Sequence, residues 1–517
     1  MPDENDSRGF DRAVALIGAG AGVKAAAVVV TSGLSLATTI LLVRMLGASL
    51  YGALALGLSI VGLSAALTKA GFGVAATRTI AASLAVDDRE SAIDTTRGVT
   101  TFVLLGGVVG SALVLSSLVA TQSQLSLSVR VTVGVGLAFL LVGRDAAAAS
   151  GAVARGFGRV RLMELPALAQ VISKFGIVVV LLALGATSLS AAAAGLGVSG
   201  LVAALVAAFV VTAMPRPRSA RGLRPSFTSF TSLLRLGIPY AMAGVAAKLI
   251  ASFDVFILGV SHPGAPVGAY APVLSLIEAS VMLAPIMLTT LFIAAATRLY
   301  AQGEQSAFSR LYVTVSKVSI LLAMPAFALF AVSPTVVIRF VFGSDFPVDE
   351  TVVRVLLLGL FLNVAFGVNM QALIASGARW RLARALVLPA GTMVAISLAL
   401  IPGFGAIGAA TATTVSYAVL NVVMSWTLFK MAGVHPFHRD LVIVVVTSPI
   451  MLLVGTVVVS SVGRDFLTAV AAALIAWIGW LLLVAAMGAI NYAELRAFLP
   501  KRSGARSRGG QSRDGSD

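Results

Sequence analysis

Long apolar stretches separated by short polar segments dominate the chain. A helix crosses the hydrocarbon core of a bilayer, about 30 Å thick, with about 20 apolar residues. By that length the sequence contains fourteen predicted transmembrane helices, at residues 23–43, 52–76, 98–120, 129–150, 165–185, 189–213, 236–260, 269–296, 313–333, 351–374, 384–402, 405–429, 441–461 and 466–488. The pattern therefore predicts an all-α integral membrane protein with no connection long enough to form a domain.

The composition agrees with this prediction and excludes several kinds of catalytic and metal site. Of the 517 residues 58% are hydrophobic and 11% are charged, which is outside the range of ordinary soluble domains. The chain contains no cysteine, which excludes disulfides, thiolate metal sites and cysteine nucleophiles. The three histidines have no carboxylate at metal-ligand spacing. We therefore expect no metal, no cofactor and no catalytic site.

Lysine and arginine are distributed unevenly between the connections. If the helices alternate in direction, 27 of the 37 basic residues lie on one side and five on the other. Because cytoplasmic loops carry the excess of Lys and Arg, we expect a multi-pass protein of the cell membrane with both termini in the cytoplasm. The net charge of +16 is then mostly a topology signal, and a nucleic-acid partner is not expected.

An internal repeat divides the predicted helices into two lobes. Residues 52–59 (GALALGLS) reappear as residues 268–275 (GAYAPVLS), with five of eight positions identical. The openings of the fifth and eleventh helices also share Arg-X-Arg followed by Leu-Pro-Ala. Six helices per copy is an even number, so the copies enter the membrane from the same side and enclose a cavity between them.

The repeat and the charge pattern together predict the domain organisation. We expect two pseudo-symmetric six-helix lobes and two appended C-terminal helices. The segments are a cytoplasmic N-terminal segment at 1–22, a first lobe at 23–213, a basic linker at 214–235, a second lobe at 236–430, two helices within 441–488 and a disordered basic tail at 500–517.

Several charged residues lie inside the apolar stretches, where a charge costs several kcal/mol and usually faces a cavity or a partner. Most of them are cationic, and a cavity lined by them would attract an anion such as a pyrophosphate-linked headgroup. The predicted basic cavity contains Lys69, Arg144, Lys174, Lys248 and Arg44. Lys317 lies near a predicted cytoplasmic end, and we expect its side chain to extend to the membrane surface.

Three carboxylates inside the helices leave two interpretations open. Asp254, Glu278 and Asp145 are candidates either for coupling transport to Na⁺ or H⁺ or for structural ion pairs. For Asp254 the structural interpretation is favoured slightly, with a basic residue of the first helix as its partner.

Five short motifs, in order along nearly the whole chain, carry a resemblance to a known family. They are Val43-Arg44-Met-Leu46-Gly47 followed by Tyr51-Gly52, Lys69-Ala-Gly71-Phe-Gly73, Phe253-Asp254 through Gly259 to Gly268-Ala-Tyr270, Phe342 to Phe346, and Ile401 to Ala410. The chain resembles the polysaccharide transporter, or oligosaccharide flippase, family of the multidrug/oligosaccharidyl-lipid/polysaccharide exporter superfamily. At Lys69 the family often has an acidic residue, so no role is carried over to that position.

The resemblance implies a MATE-like fold that moves a polyprenyl- or dolichyl-phosphate-linked oligosaccharide outward by alternating access. The implied partners are that lipid-linked oligosaccharide, membrane lipids and glycan-assembly enzymes. A cation-coupled exporter of drugs or metabolites on the same fold is the first alternative, and a mainly basic interior disfavours it. The second is a membrane glycan polymerase or ligase, which usually has a sizeable external loop, whereas the longest here are short.

Overall fold

The computed structural model describes residues 4–69, 71–214, 227–434, 438–462 and 465–489. Within these ranges the chain forms sixteen helices. Their bounds are α1 Glu4–Lys69, α2 Phe72–Ala85, α3 Arg89–Thr121, α4 Leu127–Gly156, α5 Val160–Met163, α6 Leu165–Ala183, α7 Leu189–Thr212, α8 Phe227–Ser261, α9 Ala265–Ala301, α10 Gln305–Val332, α11 Pro334–Phe342, α12 Glu350–Ala365, α13 Asn369–Ala375, α14 Arg379–Ala432, α15 Arg439–Val462 and α16 Phe466–Ala486.

The predicted all-α membrane fold is confirmed. Twelve helical runs in the described part of the chain are long and apolar enough to cross a membrane. Two of them are composite, because Gly47 in α1 (φ 71°) and Gly405 in α14 (φ 56°) lie outside the helical region of backbone dihedrals. Dividing both runs at these glycines gives fourteen crossings, the number that hydropathy predicts.

Two predicted helices are interrupted where the sequence indicated continuous ones. The helix predicted at 52–76 breaks at Gly71, whose φ of 69° disfavours any residue with a side chain. A Cβ at Gly71 would also lie 2.6 Å from the backbone nitrogen of Ala241 on α8. The break therefore lets α1 and α2 approach α8 closely.

The helix predicted at 351–374 is also interrupted, at Gly367 (φ 75°) between α12 and α13. A break inside a membrane exposes backbone polar groups that must find partners in the protein. The neighbouring helix α10 supplies them: the Tyr312 hydroxyl donates to the Phe366 carbonyl at 2.9 Å, and the Ser316 hydroxyl accepts from the Val368 nitrogen at 3.3 Å.

The contact between the lobes is symmetric, as expected for two copies of a repeat that are related by a two-fold axis. Helices α1 and α9 cross where a Cβ added to Gly52 would overlap the carbonyl oxygen of Gly264, and one added to Gly268 would overlap that of Ala48. Positions 264 and 268 are the repeat equivalents of 48 and 52, at the offset of 216 that relates the two motifs. Equivalent pairs that exchange contacts in this way mark a symmetry axis, here between the two copies of the repeat.

The two C-terminal helices α15 and α16 pack against α10 of the second lobe. The Trp477 indole donates to the Leu321 carbonyl at 3.0 Å, and Lys317 pairs with Asp440 of α15 at 3.1 Å. The prediction that Lys317 extends to the membrane surface is therefore wrong, because its side chain is only 5% exposed. Most of the predicted linker and all of the predicted tail at 500–517 lie outside the described residues.

Candidate functional site

Lys248 of α8 projects from the second lobe toward the first. A Cβ added to Gly62 of α1 would lie 2.9 Å from the Lys248 Nζ. The lysine side chain therefore occupies space that any larger residue at position 62 would fill. The charges of Arg144 and Lys69 in the first lobe, and of Glu278 and Asp254 in the second, all act on Lys248. Lys248 therefore lies within electrostatic range of charged groups from both lobes.

Arg144 and Lys174 line a cavity of about 340 Å³ inside the first lobe. Its walls come from α1, α4, α6 and α7, so it lies within one lobe, whereas the sequence placed the basic cavity between the two. Gln170 lies one turn before Lys174 on α6 and lines the same cavity, and its amide nitrogen has no hydrogen-bond partner among the described residues. Two cations and an unused amide donor thus share one space.

Lys69 differs from these cations because it has a carboxylate partner. Its Nζ lies 3.5 Å from Asp145 Oδ1, and the Thr68 hydroxyl donates to Asp145 Oδ2 at 2.6 Å. The structure thus joins Lys69 and Asp145 in an ion pair between α1 and α4. None of the ion pairs between described residues includes Arg144, Lys174 or Lys248.

Arg44, the fifth cation predicted for the cavity, lies elsewhere. Its exposed guanidinium donates to the carbonyl oxygens of Val341 at 2.9 Å and Phe340 at 3.0 Å. These carbonyls belong to the last turn of α11, where backbone acceptors lack partners within their own helix. Arg44 therefore attaches α11 to α1, and its assignment to the basic cavity is corrected.

The carboxylate of Asp254 is held by neutral donors. The hydroxyls of Tyr270 and Thr413 both donate to its Oδ2, at 2.7 and 2.9 Å. The expected basic partner on the first helix was wrong, because the donors come from α9 and α14 within the second lobe. The second oxygen, Oδ1, is buried and has no hydrogen-bond partner in the described part of the chain.

Sequence reasoning missed a polar stripe on α14. Thr413, Tyr417, Asn421 and Ser425 recur every fourth residue and therefore share one helix face. Thr413 contacts Asp254, and the Tyr417 hydroxyl donates to Glu278 Oε1 at 3.1 Å. Asn421 and Ser425 meet Asn369 beside the break between α12 and α13. The four-residue spacing of polar groups in an apolar helix was the available signal.

A family model described as "Polysaccharide biosynthesis protein" matches residues 17–296, which is more than half of the chain. The chain belongs to this family. The family resemblance is thereby confirmed, and three of the five motifs lie within the matched residues.

One curated relative is the probable low-salt glycan biosynthesis flippase Agl15 of Haloferax volcanii. It is 28% identical to this chain over 234 residues, which cover 44% of this chain and 49% of the relative. The chain thus matches about half the length of that protein.

Solved structures share the fold at low sequence identity. The lipid II flippase MurJ in an inward closed conformation is 13% identical, with a TM-score of 0.68 over 91% of this chain and 98% of that one. An inward-facing multidrug resistance transporter of the MATE family is 16% identical, with a TM-score of 0.65 over 78% of this chain and 94% of that one. These likenesses confirm the MATE-like fold.

Proposed function

We propose that this protein is a flippase that carries a lipid-linked oligosaccharide across the cell membrane by alternating access. One observation carries the proposal: Arg144, Lys174 and Lys248 lie inside the membrane-spanning region, and none of them forms an ion pair within 4 Å with a carboxylate of the described residues. Unpaired charges in this environment are costly and are retained where they serve a function. Membership of the polysaccharide biosynthesis family and the similarity to a probable glycan flippase support the same conclusion.

A phosphate or pyrophosphate group would suit these residues. The Arg144 guanidinium offers a planar set of donors that binds two phosphate oxygens at once, while Lys174 and Lys248 act as compact positive charges. The unused amide of Gln170 supplies a neutral donor in the same cavity. A polyprenyl or dolichyl phosphate headgroup therefore fits better than a cationic drug, which would require carboxylates in the cavity wall, and the residues that line it include none.

Binding of such an anion would act on the arrangement of the lobes. Arg144 and Lys248 belong to different lobes and repel each other when no anion is present. A bound phosphate replaces this repulsion with attraction, so it favours the state in which both lobes contact the headgroup. A ligand shifts a conformational equilibrium only through such a difference in affinity between the states, and here the charges provide it.

The carboxylates of the second lobe are where we place a coupling ion. Asp254 Oδ1 lacks a partner among the described residues, and a bound H⁺ or Na⁺ would satisfy it. Glu278 is linked to Asp254 through the polar stripe on α14 and acts electrostatically on Lys248. Occupancy of these carboxylates would therefore change the field at the proposed substrate site.

The proposed function also requires a topology and partners. The excess of basic residues on one side supports an orientation with both termini in the cytoplasm, where lipid-linked glycans are assembled for export. The glycan-assembly enzymes are then the expected protein partners. Catalysis is not required, since the substrate leaves the protein chemically unchanged.

Alanine substitutions test the proposal in cells. Arg144→Ala, Lys174→Ala and Lys248→Ala should each reduce glycan export and cause lipid-linked glycan to accumulate on the cytoplasmic face, measured by mass spectrometry. Arg354→Ala is the matched control, because Arg354 is exposed and its ion-pair partner among the described residues is Glu350, one turn away. Normal export by all three variants, at the parent's abundance in the membrane, would contradict the proposal.

A further inference from the structure

The first lobe carries an apolar groove on the side of α4 opposite to Arg144. The groove has a volume of about 720 Å³ and lies between α3, α4 and α7. On α4 it is lined by Val142, Ala146, Ala149 and Val153, whose spacing places them on one face of the helix. Arg144 lies about half a turn away from that face, toward the other cavity.

The lining of the groove is suited to a hydrocarbon chain. Seven of its eighteen residues are alanine or glycine, so the groove owes its width to the absence of large side chains. Three of the four hydroxyls in the wall are used within their own helices: those of Thr100, Ser150 and Thr212 donate to backbone carbonyls of Thr96, Ala147 and Phe209. The wall therefore offers almost no free polar group to a ligand.

One end of the groove carries positive charge. Thr212 lines this end, and the next carbonyl, that of Ala213, accepts a hydrogen bond from the exposed Arg159 guanidinium at 2.9 Å. An anionic headgroup at the membrane surface would meet Arg159 while its chain entered the groove.

We propose that this groove binds one acyl chain of an anionic phospholipid whose phosphate is held by Arg159. On α3 the lining runs from Thr100 to Leu115, about 22 Å along the helix axis. That length accommodates one chain of a single leaflet, whose hydrocarbon layer is about 15 Å deep. The bound lipid would fill the space behind α4 and thereby fix the helix that carries Arg144.

The hydrocarbon chain of the proposed substrate is a less suitable occupant. A headgroup bound between Arg144 and Lys248 lies on the opposite side of α4, so its chain would have to pass around that helix to reach the groove. The lipid site is therefore separate from the site of the proposed function, and either one can fail experimentally without the other.

Counting bound lipids tests the proposal. The purified, delipidated protein is titrated with phosphatidylglycerol or phosphatidylcholine of the same chain length, and bound lipid is counted by native mass spectrometry. The parent should hold one phosphatidylglycerol tightly, and Ala112→Phe/Ala208→Phe, which fills the groove from two exposed wall positions, should lose it. Ala471→Phe, at an exposed position on α16, is the control and should retain it.

The role of Arg159 is tested by headgroup preference. Because a basic residue at the membrane surface contributes about 1 kcal/mol toward an anionic lipid, Arg159→Gln should reduce the preference for phosphatidylglycerol about fivefold. Binding of phosphatidylcholine, in which the choline ammonium offsets the phosphate charge, should fall less. Equal binding of phosphatidylglycerol by the parent and by the groove-filled variant would overturn the proposal.

A second measurement uses the unmodified protein and so does not depend on the variants folding. Phosphatidylglycerol with a photoactivatable group in its acyl chain should label peptides from α3 and α7, and unlabelled phosphatidylglycerol should compete. Labelling confined to other helices would overturn the proposal. Competition by polyprenyl phosphate but not by phosphatidylglycerol would assign the groove to the substrate chain and overturn it as well.

Discussion

The ion pair between Lys69 and Asp145 is unequally buried: the lysine side chain is 39% exposed and the aspartate 3%. Lys69→Ala should therefore leave a buried carboxylate with Thr68 as its remaining donor and lower the free energy of unfolding by roughly 2 kcal/mol. Thermal unfolding in detergent measures the loss. Adding Asp145→Asn to Lys69→Ala should recover most of the lost stability. A Lys69→Ala variant as stable as the parent would show that the ion pair contributes nothing to the free energy of unfolding.

The donors to Asp254 allow a second test. Tyr270→Phe and Thr413→Val each remove one of two hydroxyls from the same buried oxygen. Each should cost about 1 kcal/mol in unfolding free energy, and the two losses should not add, because the donors share one acceptor. Thr392→Val is the matched control, since the Thr392 hydroxyl bonds to the Leu388 carbonyl of its own helix. Additive losses would indicate two independent contacts.

At the level of single residues, the sequence predicted which side chains are unusual but not what they contact. Arg144, Lys174 and Lys248 were visible because a charge in an apolar stretch is rare. The contact of Thr68 with Asp145 joins residues 77 apart, and that of Thr413 with Asp254 joins residues 159 apart. Such partners depend on the packing of helices, which hydropathy does not encode.

Among the helices, the crossing of α1 and α9 depends on two glycines. Gly52→Ala and Gly268→Ala should each force the backbones apart, because the added Cβ would overlap a carbonyl oxygen of the other helix. Overpacking of this kind costs about 1–3 kcal/mol, measured as reduced thermal stability in detergent. Gly479→Ala is the control, since a Cβ there would meet no atom within 4 Å. Unchanged stability in both crossing variants would contradict the close approach.

Helix positions were predicted well because membrane thickness sets their length. The third, fourth and sixth predicted helices correspond to Arg89–Thr121, Leu127–Gly156 and Leu189–Thr212, with ends that differ by at most nine residues. The breaks at Gly71 and Gly367 were missed, since both lie in continuous apolar sequence. With 50 glycines in the chain, a glycine alone does not identify a break.

Across the whole molecule, the repeat in the sequence anticipated the symmetric contact between the lobes. It did not anticipate that Arg144 and Lys174 line a cavity within the first lobe while Lys248 reaches toward them from the second. The proposed mechanism depends on this asymmetry, because an anion bound in the first lobe attracts the second lobe through Lys248. Motion of the lobes then moves Lys248 relative to Arg144.

Transfer of substrate by the purified protein tests the central claim most directly. Vesicles containing the protein receive a polyprenyl-diphosphate oligosaccharide with a fluorescent glycan in the inner leaflet, and an external quencher reports its arrival outside. We predict transfer with the parent protein and transfer near the protein-free rate with Arg144→Ala/Lys174→Ala/Lys248→Ala. Equal transfer by the parent and the triple variant, or no transfer by either, would contradict the account.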